Sequence, residues 1–229
     1  MRNLTILIIA VLFVGSVGTV AYAGQLKVTG QGKVASIPDM ATITLGVTSH
    51  AKTAAGALLE NSTATGEVLK QVATAAIKPR DVQTSGLNLT PRWKNSSSSN
   101  GKPPTIIGYV VSNQVTIRVR ELAELGQVLN LVINNGANTF HGLQFGLQHP
   151  QPAKDEARKR AVTDAKRKAV LYSEAAGVKL GPITEISEQS GGGSSPVMMH
   201  GMAMSEAVPI AEGEVSVSAS INMVFEISD

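Results

Sequence analysis

GEVSVSASINMVFEI, residues 213–227, decides the fold class. In an extended chain Val215, Val217, Ala219, Ile221, Met223, Phe225 and Ile227 fall on one side. Ser216, Ser218, Ser220 and Asn222 fall on the other. A period of two residues belongs to a strand buried on one face only. MATITLGVTS, residues 40–49, repeats the pattern, with Ala41, Ile43, Leu45 and Val47 opposite Thr42, Thr44 and Thr48. VTIRVR, residues 115–120, repeats it again and puts Arg118 and Arg120 outside. Strands with one polar face belong to antiparallel sheets with one wet side, so a doubly wound parallel sheet is excluded.

Three other segments change to a helical period. Residues 52–76 carry Leu58, Leu59, Val68, Leu69, Val72 and Ala76 near helical spacing, and Pro79 prevents continuation. Residues 120–135 place Leu122, Leu125, Leu129 and Val132 on one stripe, with Gly136 behind as a C-cap. Residues 152–176 open with Pro152 and end at Gly177. In this last helix Ala153, Ala157, Ala161, Ala165 and Ala169 recur every four residues, a stripe small enough to let a helix lie close to a sheet. The order is strand, strand, helix, strand, strand, helix, strand, helix, strand, long loop, strand. It predicts an α+β fold, an antiparallel or mixed sheet with one face covered by about three helices. The succession of elements also hints at a degenerate duplication.

The amino end reads MRNLTILIIAVLFVGSVGTVAYAGQ, with Arg2, an apolar run from Leu4 to Val14, and Ala21-Tyr22-Ala23. These are the three parts of a secretory signal. The expectation is a signal peptide over 1–23, cut after Ala23, and a domain over 24–229; an uncleaved membrane anchor is the rival. No Cys follows for lipid attachment. The remaining 206 residues can build a core without disulfides. With aromatics at 3%, that core rests on Val, Ile, Leu and Ala. The net charge of +3, of which Arg2 supplies one, does not point to nucleic acid. Two stretches have loop composition and are expected to be mobile: residues 94–104, KNSSSSNGKPP, and residues 190–209.

VTGQGKVASIPDMATITLGV (28–47), IKPRDVQTSGLNLTP (77–91) and IIGYVVSNQVTIRVREL (106–122) together resemble the SIMPL domain family, a family described as of unknown function. GANTFHGLQFGL (136–147), AAGVKLGPITEISE (175–188) and PIAEGEVSVSASI before the end of the chain are similar to it as well. The resemblance covers almost all of residues 24–229. It implies an exported bacterial α+β protein, periplasmic or outer-membrane-associated, linked with stress tolerance and surface antigenicity. Some members form large ring-like homo-oligomers. The resemblance brings no catalytic residues with it.

The residues themselves offer four candidate sites. GQGK, residues 30–33, is not a phosphate loop, because Val34 follows and the chain stays extended; a strand kink or bulge is expected. His50, His141, His149 and His200 include no pair at i, i+4, and no Gly-x-Ser-x-Gly elbow is present. His141, beside Phe140 in a predicted strand, reads as structural. The last helix carries Lys154, Arg158, Lys159, Arg160, Lys166, Arg167 and Lys168 against Asp155, Glu156 and Asp164. This is a solvated face first and a site of weak membrane-surface attachment second. PVMMHGMAM, residues 196–204, concentrates Met198, Met199, His200, Met202 and Met204. Thioether and imidazole suit Cu(I), so these five are the candidate metal ligands; a slack or subunit-contacting loop is the plainer reading.

The functional expectation is an exported, non-enzymatic, self-assembling protein that contributes to envelope integrity or oxidative stress tolerance, with no small-molecule substrate identified. The terminal strand, with its long serine-lined face, is expected to pair at its edge with another subunit. The alternative is a monomeric binding module for copper or a small ligand through residues 190–209.

Overall fold

The alternation that opens the sequence reading becomes β8, Glu214–Ser228, and it lies in the middle of a sheet rather than at its edge. In the computed structural model, residues 24–75, 77–94, 104–189, 195–197 and 210–229 are described. The elements follow the predicted order: β1 (Gly24–Ser36), β2 (Met40–Ala51), α1 (Ala54–Thr74), β3 (Val82–Trp93), β4 (Ile106–Val119), α2 (Leu125–Asn134), β5 (Thr139–Gly146), α3 (Gln151–Ala176) and β6 (Lys179–Glu188). One short strand, β7 (Ser195–Val197), falls inside the stretch expected to be all loop.

All strand pairs are antiparallel, but they form two sheets, not one. One has the order β1-β8-β6, with β7 also on β8. The other has the order β3-β4-β2-β5. The helices divide between them. α3 covers the first sheet and α1 and α2 the second. The two units share neither strand order nor helix count, so the hinted duplication has no counterpart in the topology.

β1 and β8 pair in unbroken register from Gly24 opposite Ile227 to Ser36 opposite Val215. The glycines of GQGK therefore mark no bulge. They mark the approach of a helix. A Cβ on Gly30 would lie 2.0 Å from the Ala161 carbonyl oxygen, and one on Gly32 would lie 1.9 Å from that of Ala157. The alanine stripe of α3, Ala157, Ala161, Ala165 and Ala169, is fully buried against these glycines. Side chains of α3 then satisfy backbone groups of β1: Arg160 donates to the Lys33 carbonyl (2.9 Å), Lys168 to that of Thr29 (3.0 Å), and Asp164 accepts from the Gln31 N–H (3.0 Å). The helix thus covers an edge strand, a recurrent protection against unwanted pairing. Both edges of β8 are occupied, so edge pairing of the terminal strand with another subunit is overturned.

The second core packs Ile43, Leu45, Val115 and Ile117 of the sheet against Val68 and Val72 of α1 and Val128 and Val132 of α2. The buried stripe of α1 keeps Val68 and Val72 of the predicted one but not Leu58 or Leu59. It runs Ala57, Asn61, Thr65, Val68, Val72, while Leu59 is 70% exposed. Asn61 is buried because its amide donates to the carbonyls of Val47 (2.8 Å) and Val111 (3.2 Å), bridging the two central strands.

Candidate functional site

Met198, Met199, His200, Met202 and Met204 lie outside the described residues, as do the expected signal peptide and residues 95–103 of the other predicted loop. The other histidines do not converge. Among the described residues no three His, Cys, Asp or Glu side chains come together as a metal-binding group. His50 is exposed at the end of β2, and His149 is exposed just before α3. His141 is the extra residue of a bulge in β5, opposite the step from Thr44 to Leu45. It is exposed, and its Nε2 accepts from Gln114 Nε2 at 3.2 Å.

The basic surface of α3 is mostly engaged. Arg158 pairs with Asp155 and Glu188, Arg160 with Glu156, and Arg167 and Lys168 share Asp164. These contacts hold the Asp164 carboxyl well below the usual range, led by Lys168 and then the Gln31 N–H. The Arg158 guanidinium is held charged more firmly by Glu188 and Asp155. Among the described residues Lys154, Lys159 and Lys166 have no ion pair.

A second charged group sits where the two sheets join. Arg120 donates two hydrogen bonds to Asp81, at 2.6 and 2.8 Å. The Asp81 side chain is only 3% exposed and that of Arg120 is 33% exposed, so Arg120, on the polar side of the alternation, is partly covered rather than free in solvent. Hydrogen bonding from Arg120 outweighs burial and lowers the Asp81 carboxyl below its ordinary value. Gln148 extends the network, donating to the carbonyls of Asp39 (2.8 Å) and Arg120 (3.1 Å). The β1–β2 connection, the end of β4 and the entry to α3 are tied together in this way.

The second sheet has a half-open cavity of about 240 Å³ between α2 and the β2–β5 pair. Leu45 and Leu129 contribute its buried walls, and Ile133 (54% exposed) and Phe140 (55% exposed) reach solvent. Ala137, Asn138 and Thr139 complete it. The Asn138 side chain is fixed by Thr48, accepting from its N–H at 2.7 Å and donating to its carbonyl at 2.8 Å. The wall is apolar, suited to hold a small hydrophobic group by shape. The sequence reading singled out no pocket here. Its signal was within reach, since Ala137 to Phe140 belong to the GANTFHGLQFGL stretch that carried the family resemblance.

The sequence pattern of SIMPL, "Protein of unknown function (DUF541)", matches residues 26–225. The chain belongs to the SIMPL family. It is 41% identical over 211 residues to the 26 kDa periplasmic immunogenic protein of Brucella melitensis, covering 89% of this chain and 84% of that one. The counterpart in Brucella abortus is 40% identical over the same length and coverage. A more distant relative is the uncharacterized protein YggE of Escherichia coli, 25% identical over 213 residues, covering 90% of this chain and 85% of that one. The SIMPL pattern begins within β1 and ends within β8, so it spans both sheets of this fold.

Proposed function

We propose that this SIMPL protein is exported to the periplasm, has no catalytic activity, and assembles with copies of itself to support envelope integrity or tolerance of oxidative stress. Export is supported by the signal-like character of residues 1–23 and by the names of the Brucella relatives. Self-assembly rests on one observation, the exposed apolar arm made by β3 and β4. α1 lies over β2 and β4 and barely reaches β3, so Leu87 and Leu89 remain exposed on the helix side of the sheet. Trp93, Ile106 and Ile107 are exposed toward the end of the same arm. A cluster of this size on a sheet edge is a common mark of a protein contact. Two bulges interrupt the β3–β4 ladder, at Ser85 on β3 and at Ile107 on β4, so the contact is one of side chains rather than of a continued sheet. Lys154, Lys159 and Lys166 support in addition a weak contact with an anionic membrane surface.

Light scattering of residues 24–229 over a concentration series tests the assembly. A discrete mass several times that of the subunit is expected, and Leu87→Ser with Leu89→Ser should reduce it to the monomer without loss of cooperative melting. A monomer at every concentration would remove the reading. In that event the second reading, a binding module, takes over. The cavity beside α2 favours a small hydrophobic ligand for it. The copper version rests on the sequence of residues 198–204 alone. It fails if Cu(I) titration gives no saturable binding, or binding unchanged after all four methionines are replaced by leucine.

A further inference from the structure

The helices cover one face of the β3-β4-β2-β5 sheet, and among the described residues no element packs on the other. The register fixes what this open face presents. Thr42 stands opposite Arg118, Thr44 opposite Thr116, Gly46 opposite Gln114, and Thr48 opposite Ser112. On β3 these rows continue into Gln83, Gly86 and Asn88, and the next row outward is Thr90, Val110 and His50. Bulky apolar side chains are absent from these central rows. Gly46, Gly86 and Gly142 keep the surface low around Gln114.

The charge on this face is one-sided. Arg92 and Arg118 stand on it, and His50 and His141 border it. No strand position on it is Asp or Glu, and the carboxylate that adjoins it, Asp81 just before β3 and near Arg118, is already paired with Arg120. The open face of the other sheet differs, since there Lys27 and Lys33 are balanced by Glu226 and Glu185. An open polar face alone is ordinary for an antiparallel sheet. A polar face whose strands carry no carboxylate, with arginines toward opposite ends, is a surface of hydrogen-bonding groups biased toward anions.

We propose that the open face of the β3-β4-β2-β5 sheet binds an extended polysaccharide that carries carboxylates. A protein partner would require buried apolar or aromatic anchors at the centre of the contact, and the central rows have none. A sugar chain requires hydroxyl and amide partners in rows, with cations for some of the acidic groups it presents. Same-face residues along a strand are spaced by roughly 7 Å, so the rows from Arg118 to Ser112 run for roughly 20 Å, enough for several sugar units side by side with the strands. Arg118 would take a carboxylate in a two-pronged contact, while the threonine and serine hydroxyls exchange hydrogen bonds with ring hydroxyls.

Electrophoresis of the purified protein through gels containing polygalacturonate, with dextran as the neutral comparison, tests the proposal. Retardation by polygalacturonate alone is expected, decreasing as salt is raised. Arg118→Glu and Thr44→Glu should each weaken it about tenfold, and Thr44→Lys, an equal change in bulk, should strengthen it. Lys27→Glu, on the other sheet, should leave it unchanged. Melting curves confirm that each variant is folded. Equal retardation by dextran, no retardation by either polymer, or retardation removed by Lys159→Glu and Lys166→Glu on α3 but not by Arg118→Glu would each overturn the proposal.

Discussion

Gly30 and Gly32 show how little room a single atom can have. The groups a new Cβ would meet at these positions are backbone atoms of α3, at 2.0 and 1.9 Å, and backbone cannot swing aside. Ala at either position must lift the helix from β1 and break the hydrogen bonds that Arg160 and Lys168 donate to β1 and that Asp164 accepts from it. A loss of about 3 kcal/mol is expected, the upper range for overpacking. In a chain of this size it amounts to roughly 6–12 °C in Tm, measured by thermal melting of each variant. Gly66 is the opposite case. It lies inside α1 with nothing within 4 Å of a Cβ, so Gly66→Ala should stabilise by about 0.5–1 kcal/mol through helix propensity alone. The alanine stripe announced close packing in the sequence, but not its partner. Glycine in a strand reads equally as a bulge or as a close approach, and only the pairing of two distant segments separates them. Asn61 was hidden for a different reason. A polar residue in a helix reads as exposed unless the carbonyls it satisfies are known, and those belong to strands 14 and 50 residues away.

Among the elements, periodicity was informative and charge was not. Runs of alternation located β2, β4 and β8, and the caps Pro152 and Gly177 bounded α3, where Gly177 adopts φ 71°. How strands divide into sheets depends on long-range register, which no local period records, and so two sheets were read as one. The ionic connections between elements were equally silent. Asp81 and Arg120 join the turn before β3 to the end of β4, and Asp164 joins α3 to β1. Both carboxyls are held below their ordinary value, in Asp81 chiefly by Arg120 and in Asp164 chiefly by Lys168. A carboxyl lowered in the folded state contributes stability that is present above the unfolded value of about 4 and lost as pH falls toward the folded value. Stability should therefore fall from about pH 5 downward, and Asp81→Asn with Asp164→Asn should flatten that fall, followed by urea titration at each pH. At neutral pH Asp81→Asn alone should destabilise by about 3 kcal/mol, the low end for breaking a buried pair because Arg120 remains partly open to water.

At the scale of the whole molecule, the chain closes on itself. Gly24 pairs with Ile227, and Thr29 bonds Asn222 across 193 residues of sequence. By contrast, β2, α1, β3, β4, α2 and β5 follow one another and complete the second sheet without help from either end. Loop closure grows more unfavourable with separation, so the second sheet should form first and the β1–β8 ladder last. A circular permutant reverses this. Joining residue 229 to residue 24 through a short turn makes β1 and β8 a hairpin, and opening the chain between residues 95 and 103 separates β3 from β4 by nearly the whole sequence. One pairing gains in locality about what the other loses, so overall stability should change by less than about 1 kcal/mol. The order of folding should invert. Pulse-labelled hydrogen exchange during refolding should show β8 amides protected last in the natural chain and first in the permutant. If β8 remains last in both, connectivity does not set the order, and the packing of α3 on its two glycines is the step that does.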